Sequence, residues 1–217
     1  MKIAVFNNKG GVGKTTTVIN LAYALAKRPD VTGGVLVADC DRQENAARFL
    51  CDNLTESLTD TRYSGISIMT VADDLTMLQA AAEKYSYTLL DLPPALDDRT
   101  AKILAAVDCV IVPVELGSFA VQGIANVTAA ISRSNTAFLG ALVTRFDRKN
   151  SADVEMLELI RQQLGSKVFD TVIPQSRIIR NSISYRTTAA EYMGWLDPAK
   201  SFDQLAEEVI RRSTAIR

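Results

Sequence analysis

The chain has 217 residues, 47% of them apolar, with 24 basic against 25 acidic side chains for a net charge of −1. That length is enough for one domain, residues 1–217, with a sizeable core. The even charge excludes a globally basic nucleic-acid binder, and the absence of histidine excludes a histidine triad or a histidine metal site. No apolar run reaches the length of a membrane span. Cys40, Cys51 and Cys109 are odd in number and lack CxxC spacing, which reads as reduced thiols in a cytosolic protein. Met1-Lys2-Ile3 opens an apolar run and does not read as a signal peptide.

Residues 3–6 form an apolar run, the first predicted strand. It feeds Asn7-Asn8-Lys9-Gly10-Gly11-Val12-Gly13-Lys14-Thr15-Thr16. Residues 16–27 follow with Val18, Leu21, Ala22 and Leu25 at helical spacing. Strand, glycine-rich turn and helix in this order make a phosphate-binding loop. Glycines let backbone N–H groups turn inward around phosphate oxygens, and the helix presents its positive end to the same anion. In such a loop Lys14 reaches the outer phosphates and the Thr15 hydroxyl is placed to ligate Mg²⁺.

Residues 35–38 predict a buried strand that delivers Asp39 and Asp41 to its carboxyl end, the ligand side of an open α/β sheet. Two carboxylates at that edge suit Mg²⁺-bound water and orientation of an attacking water; capping of a helix beginning near Asn45 explains them equally well. Residues 54–63 read as a loop, 66–71 as a strand and 73–84 as a helix. Residues 87–92 form a strand broken by Asp91 and followed by Pro93-Pro94. A buried carboxylate is costly unless a cation or donor meets it. Strands are predicted over 108–114, 138–143 and 168–173. Helices are predicted over 119–132, over 152–164 (capped by Ser151 or Asp153 and stopped by Gly165) and over 202–210. Strand and helix signals alternate, so the fold class is α/β, a mostly parallel twisted sheet with helices on both faces.

The lysine-led sequence Lys9-Gly10-Gly11-Val12-Gly13-Lys14-Thr15-Thr16, with Asn8 at the first glycine of the general pattern, resembles the deviant Walker A loop of the ParA/MinD family of ATPases. The resemblance continues in Asp39-Cys40-Asp41-Arg42-Gln43-Glu44-Asn45, where the family has Asp-x-Asp-Pro-Gln-Gly-Asn, and in Asp91 with Pro93 and Pro94. Arg42 stands for the usual proline and Glu44 for the usual glycine. The resemblance implies ATP and Mg²⁺ as cofactors and hydrolysis of ATP. Residues 9–16 would hold the nucleotide, Thr15, Asp39 and Asp91 would serve the metal, and Lys14 and Asp41 would act in catalysis, Asp41 by orienting water. It also implies that Arg145 and Pro174 flank the base or ribose, and that Lys9 reaches the nucleotide of a partner in an ATP-bound homodimer.

Asn7-Asn8 before Lys9 resembles the ParA form more than the MinD form, and the final residues lack a bulky amphipathic membrane helix, so no membrane is expected. ParA-type dimers bind duplex DNA without sequence preference and are stimulated by a ParB-like partner. The corresponding candidates here are Arg177, Arg180, Arg186, Lys200, Arg211 and Arg212, whose alternative is an ordinary solvated face. With no DNA-reading segment ahead of the first strand, operator binding is not expected. The implied location is cytoplasmic and nucleoid-associated. Other readings keep the chemistry and change the cargo: an accessory ATPase for conjugation or for positioning a protein assembly, a MinD-like membrane-associated ATPase, or a biosynthetic or metal-cluster protein, for which the cysteines offer no paired motif.

Overall fold

The computed structural model describes residues 1–52, 58–71, 75–117, 120–132 and 134–216. In chain order the elements are β1 (Lys2–Val5), α1 (Lys14–Ala26), β2 (Val35–Asp39), α2 (Asn45–Leu50), β3 (Thr59–Asp60), β4 (Ile66–Thr70), α3 (Thr76–Ala82), β5 (Tyr87–Asp91), α4 (Asp98–Ala105), β6 (Cys109–Glu115), α5 (Ala120–Ile131), β7 (Ala137–Thr144), α6 (Ser151–Leu164), α7 (Arg177–Ser184), α8 (Ala189–Met193) and α9 (Asp197–Thr214).

The strand interiors of β1, β2, β4, β5, β6 and β7 are mostly apolar because helices cover both faces of the sheet. Ile3, Val5, Val35, Val37, Leu89 and Ile111 meet α1, α2 and α9 on one side. Ala4, Leu36, Ala38, Leu90, Val110 and Val112 meet α4, α5 and α6 on the other. The alternation is the period of two that a strand imposes. The sheet order is β3–β4–β2–β5–β1–β6–β7. All pairs are parallel except β3–β4, which is antiparallel. The expected mostly parallel sheet is therefore present. Its register brings Asp39 beside Asp91 and Val5 beside Asp91, so three strands end together at one edge.

The structure differs from the sequence reading in four places. Residues 54–57, 73, 74 and 119 of the predicted elements lie outside the described residues. Within the predicted 54–63 loop, Thr59–Asp60 pair with β4. The predicted strand 168–173 runs beside β7 through single bridges only, Ala141 to Val168 and Phe146 to Pro174. It is interrupted because the Asp170 and Thr171 amides donate to the Glu208 carboxylate, at 2.8 and 2.9 Å, and not to a strand. The predicted helix 152–164 is capped by Asn150, whose side chain accepts from the Ala152 amide at 3.1 Å. Finally, α4, α7 and α8 are short helices that the sequence reading did not assign, and α9 starts well before residue 202.

Candidate nucleotide site

The loop between β1 and α1 is shaped by its neighbours. The Asn7 side chain, buried, donates to the Pro113 carbonyl at 2.8 Å and accepts the Lys9 amide at 3.0 Å. The Thr144 hydroxyl lies 2.9 Å from the Val12 carbonyl and 3.2 Å from that of Val114. Gly13 enters the helix in the left-handed region, φ 89°, a conformation that a side chain would oppose. Lys14 is only 8% exposed, and its ammonium donates to the Lys9 carbonyl at 3.1 Å. Burial lowers the Lys14 pKa, while Asp91 and Asp41 act to raise it. The Lys9 amide is held, and its side chain is exposed. One lysine is thus buried within the loop and the other is open to solvent.

The three carboxylates have distinct settings. Asp91 is 1% exposed and neither of its oxygens accepts a hydrogen bond. Burial pushes its pKa up to about 7, reinforced by Asp39 and Asp41 and opposed by the Thr15 hydroxyl and Lys14. An orphaned buried carboxylate beside a hydroxyl and an ammonium is a setting completed by a hydrated cation. Asp39 accepts the Asp41 amide at 3.1 Å and the Ala47 amide at 2.9 Å, and burial raises its pKa to about 6. Its carboxylate therefore ties the loop and satisfies the start of α2. Each oxygen thus takes one amide and keeps a further lone pair, so the bonds serve the start of α2 and leave the metal role of Asp39 open. Asp41, half-buried, accepts the Gln43 amide at 3.0 Å. Among the described residues no three acidic or thiol side chains converge as a metal cage.

A cleft of about 550 Å³ adjoins the loop. Gly13, Thr16, Arg145 and Pro174, four of the expected nucleotide residues, line it together. Arg145 occupies the left-handed region, φ 54°, and pairs with Glu115 at 3.7 Å. Gln175, which the resemblance sets beside Pro174 at this edge, lines the cleft too, as do Glu115 and Ser176, which no signal in the sequence singles out.

The six basic candidates separate. Arg177, Arg180 and Lys200 are exposed. Arg180 lies on the rim of the nucleotide cleft. Arg186 pairs with Asp52 at 2.9 Å and donates to the Arg48 carbonyl, and Arg211 pairs with Asp170 at 3.2 Å. Arg212 is a correction. Its guanidinium is 17% exposed, meets Glu208 at 2.7 Å, donates to the Ser166 and Val168 carbonyls at 2.7 Å and covers the Phe169 ring. Its donors serve the fold and leave little for a phosphate backbone. Among the described residues no helix is long and apolar enough to cross a membrane.

A glycine loop at the carboxyl edge of a parallel sheet, closed around a buried lysine and facing an unpartnered carboxylate, places this molecule among the P-loop nucleotide-binding proteins. The family model described as the CobQ/CobB/MinD/ParA nucleotide binding domain matches residues 3–188, and the chain belongs to that family. It is 33% identical to the chromosome-partitioning ATPase Soj of Thermus thermophilus, over 97% of this chain and 96% of the relative. It is 29% identical to the chromosome partitioning protein ParA of Caulobacter vibrioides, over 97% and 94%. Its fold matches the septum site-determining protein MinD of Pyrococcus horikoshii, solved with Mg-ADP, with a TM-score of 0.83 at 20% identity, covering 100% of this chain and 98% of that one.

Proposed function

We propose that this chain is a ParA-type ATPase that partitions or positions a plasmid, chromosome or other cargo over nucleoid DNA in the cytoplasm. The observation that carries this reading is the pair of lysines on one loop, Lys14 buried within it and Lys9 open to solvent. Lys14 is placed for the nucleotide of its own subunit. Lys9 is free to serve that of a second copy, so the active form is a homodimer enclosing two nucleotides. Near full-length likeness to chromosome-partitioning relatives supports the same reading.

The loop N–H groups and Lys14 hold the phosphates. Thr15, directly, and Asp91, through water, would hold Mg²⁺, which when bound neutralises charge on the outer phosphate oxygens. Asp41 orients a water whose oxygen bonds to the γ-phosphorus as the bond to the ADP oxygen breaks. ADP leaves with its electron pair, and the proton of the water passes to phosphate. Asp39 holds the Asp41 amide in place. Arg145 and Pro174 flank the base. The rest is positioning and charge stabilisation. Arg177, Arg180 and Lys200, none of them paired with an acid among the described residues, offer cations for duplex DNA, and a ParB-like partner stimulates hydrolysis.

Size-exclusion chromatography of Asp41→Ala with ATP tests the dimer. A shift to twice the monomer mass is expected, absent in Lys9→Ala. Asp41→Ala that binds ATP yet stays monomeric at micromolar concentration refutes the trans role of Lys9. DNA binding by the ATP-bound form should fall steeply with salt. No binding at low salt refutes the DNA reading.

A further inference from the structure

The peptide that carries Asp41 is held from outside its own loop. Arg99, in the first turn of α4, donates from Nη1 to the Cys40 carbonyl at 2.6 Å and from Nη2 to the Val71 carbonyl. These two carbonyls stand just past the ends of β2 and β4, which are neighbouring strands. The guanidinium therefore bridges two strand ends with the spread donors of its planar fork, a span that an ammonium does not reproduce. Its own position is fixed in turn. Asp97 caps α4 by accepting the Thr100 amide at 2.8 Å, and α4 follows directly on the Asp91-Leu92-Pro93-Pro94 segment. One side chain thus joins the segment after Asp91 to the residue before Asp41.

The loop it grips has weak constraints of its own. The Glu44 amide donates to the Asp41 carbonyl at 2.9 Å, closing a four-residue turn with Arg42 at its second position. Proline is favoured at that position because its ring presets the required φ. Arg42 presets nothing, and Glu44 adds a left-handed residue, φ 52°, that glycine would adopt freely. A cleft of about 550 Å³ behind the turn, lined by Asp41, Arg42, Pro93, Arg99 and Lys102, leaves room for the loop to shift.

We propose that Arg99 is a positioning residue for hydrolysis. It clamps the Cys40–Asp41 peptide so that the Asp41 carboxylate is held where it orients the attacking water, supplying through two hydrogen bonds the rigidity that proline at 42 would supply covalently. The inference rests on the reading of Asp41 given above. Small displacements of a positioning group lower rate far more than affinity, on the order of 100-fold for about 1 Å.

The test compares Arg99→Met, Arg99→Lys, Asp41→Ala and the double variant Arg99→Met/Arg42→Pro. Three quantities are read: single-turnover phosphate release, the Kd of a fluorescent ATP analogue, and Tm. Arg99→Met and Arg99→Lys should both slow phosphate release by roughly 10–100-fold while Kd stays within about 3-fold of wild type. Arg42→Pro in the Arg99→Met background should recover part of the rate without changing Kd. Wild-type release by Arg99→Met, full rescue by lysine, or a rate loss matched by equal losses in affinity and Tm overturns the inference. If Asp41→Ala hydrolyses normally, the reading of Asp41 falls and the inference with it. If Asp41→Ala is inactive while Arg99→Met is unimpaired, the inference alone falls.

Discussion

Replacing Asp91 with asparagine separates the cost of burying a charge from its use. The Asp91 carboxyl is 1% exposed and is raised from 3.8 to about 7 by burial, a shift that the Thr15 hydroxyl and Lys14 oppose and Asp39 and Asp41 reinforce. A carboxyl whose folded pKa lies above its unfolded value holds its proton longer in the folded state. Its contribution to stability is therefore full below the unfolded pKa and is lost as pH rises through the folded one. The window here runs from about pH 4 to about pH 7. A difference of about 3 pH units corresponds to roughly 4 kcal/mol. Asparagine is nearly isosteric and never charges. Asp91→Asn without nucleotide should match wild type near pH 4 and exceed it at pH 8, by a Tm gain on the order of 8–16 °C for a chain of this size. It should also lose Mg²⁺-dependent hydrolysis. Differential scanning fluorimetry of both proteins from pH 4 to 8 reads the difference for Asp91 together with the neighbours coupled to it, Asp39, Asp41 and Lys14, because titrating groups elsewhere cancel between the two proteins. Equal melting curves at pH 8, or a Tm difference that does not grow with pH, refutes the account of Asp91 as an uncompensated buried charge.

Two further substitutions probe the backbone. Glu44→Gly removes a side chain from the left-handed region at φ 52° and gives up only an exposed 3.6 Å contact with Arg48; it should stabilise the protein by about 1 kcal/mol, read as a rise in urea midpoint at constant slope. Gly140→Ala should destabilise by about 1–3 kcal/mol in the same assay, because a new Cβ would stand 2.8 Å from the Phe169 ring and 3.1 Å from the Arg212 guanidinium, neither of which is free to move.

The sheet and the phosphate loop were legible because each depends on local chemistry. Buried strands need apolar runs, and a loop that wraps phosphate needs glycine. Asp91 stood out for the same reason, a charge inside a buried strand. What escaped was set by tertiary partners. The 168–173 segment has the composition of a strand, yet the Glu208 carboxylate from α9 takes two of its amides. Arg212 looks like a surface cation in the sequence, and only the convergence of Glu208, Phe169 and three carbonyls shows that it is spent on the fold. For Asp39 the sequence already offered a helix-capping contact, and the structure supplies it through the Ala47 amide.

Arg99 belongs with these hidden residues, and it bears on the two departures that the loop sequence displays openly. A turn that has arginine where proline is favoured and glutamate where glycine is favoured should be looser and more strained than the family form. Yet its first residue is anchored on both sides. Asp39 accepts its amide from within, and Arg99 grips the preceding carbonyl from α4. Rigidity at the Asp41 peptide has moved from covalent preorganisation in the turn to hydrogen bonds made by neighbouring elements. Such bonds can exchange with water, whereas the φ that a proline ring sets cannot be released. A loop held this way depends for the placing of Asp41 on α4 and on the segment that follows Asp91, through the Arg99 bond to the Cys40 carbonyl and the Asp39 bond to the Asp41 amide.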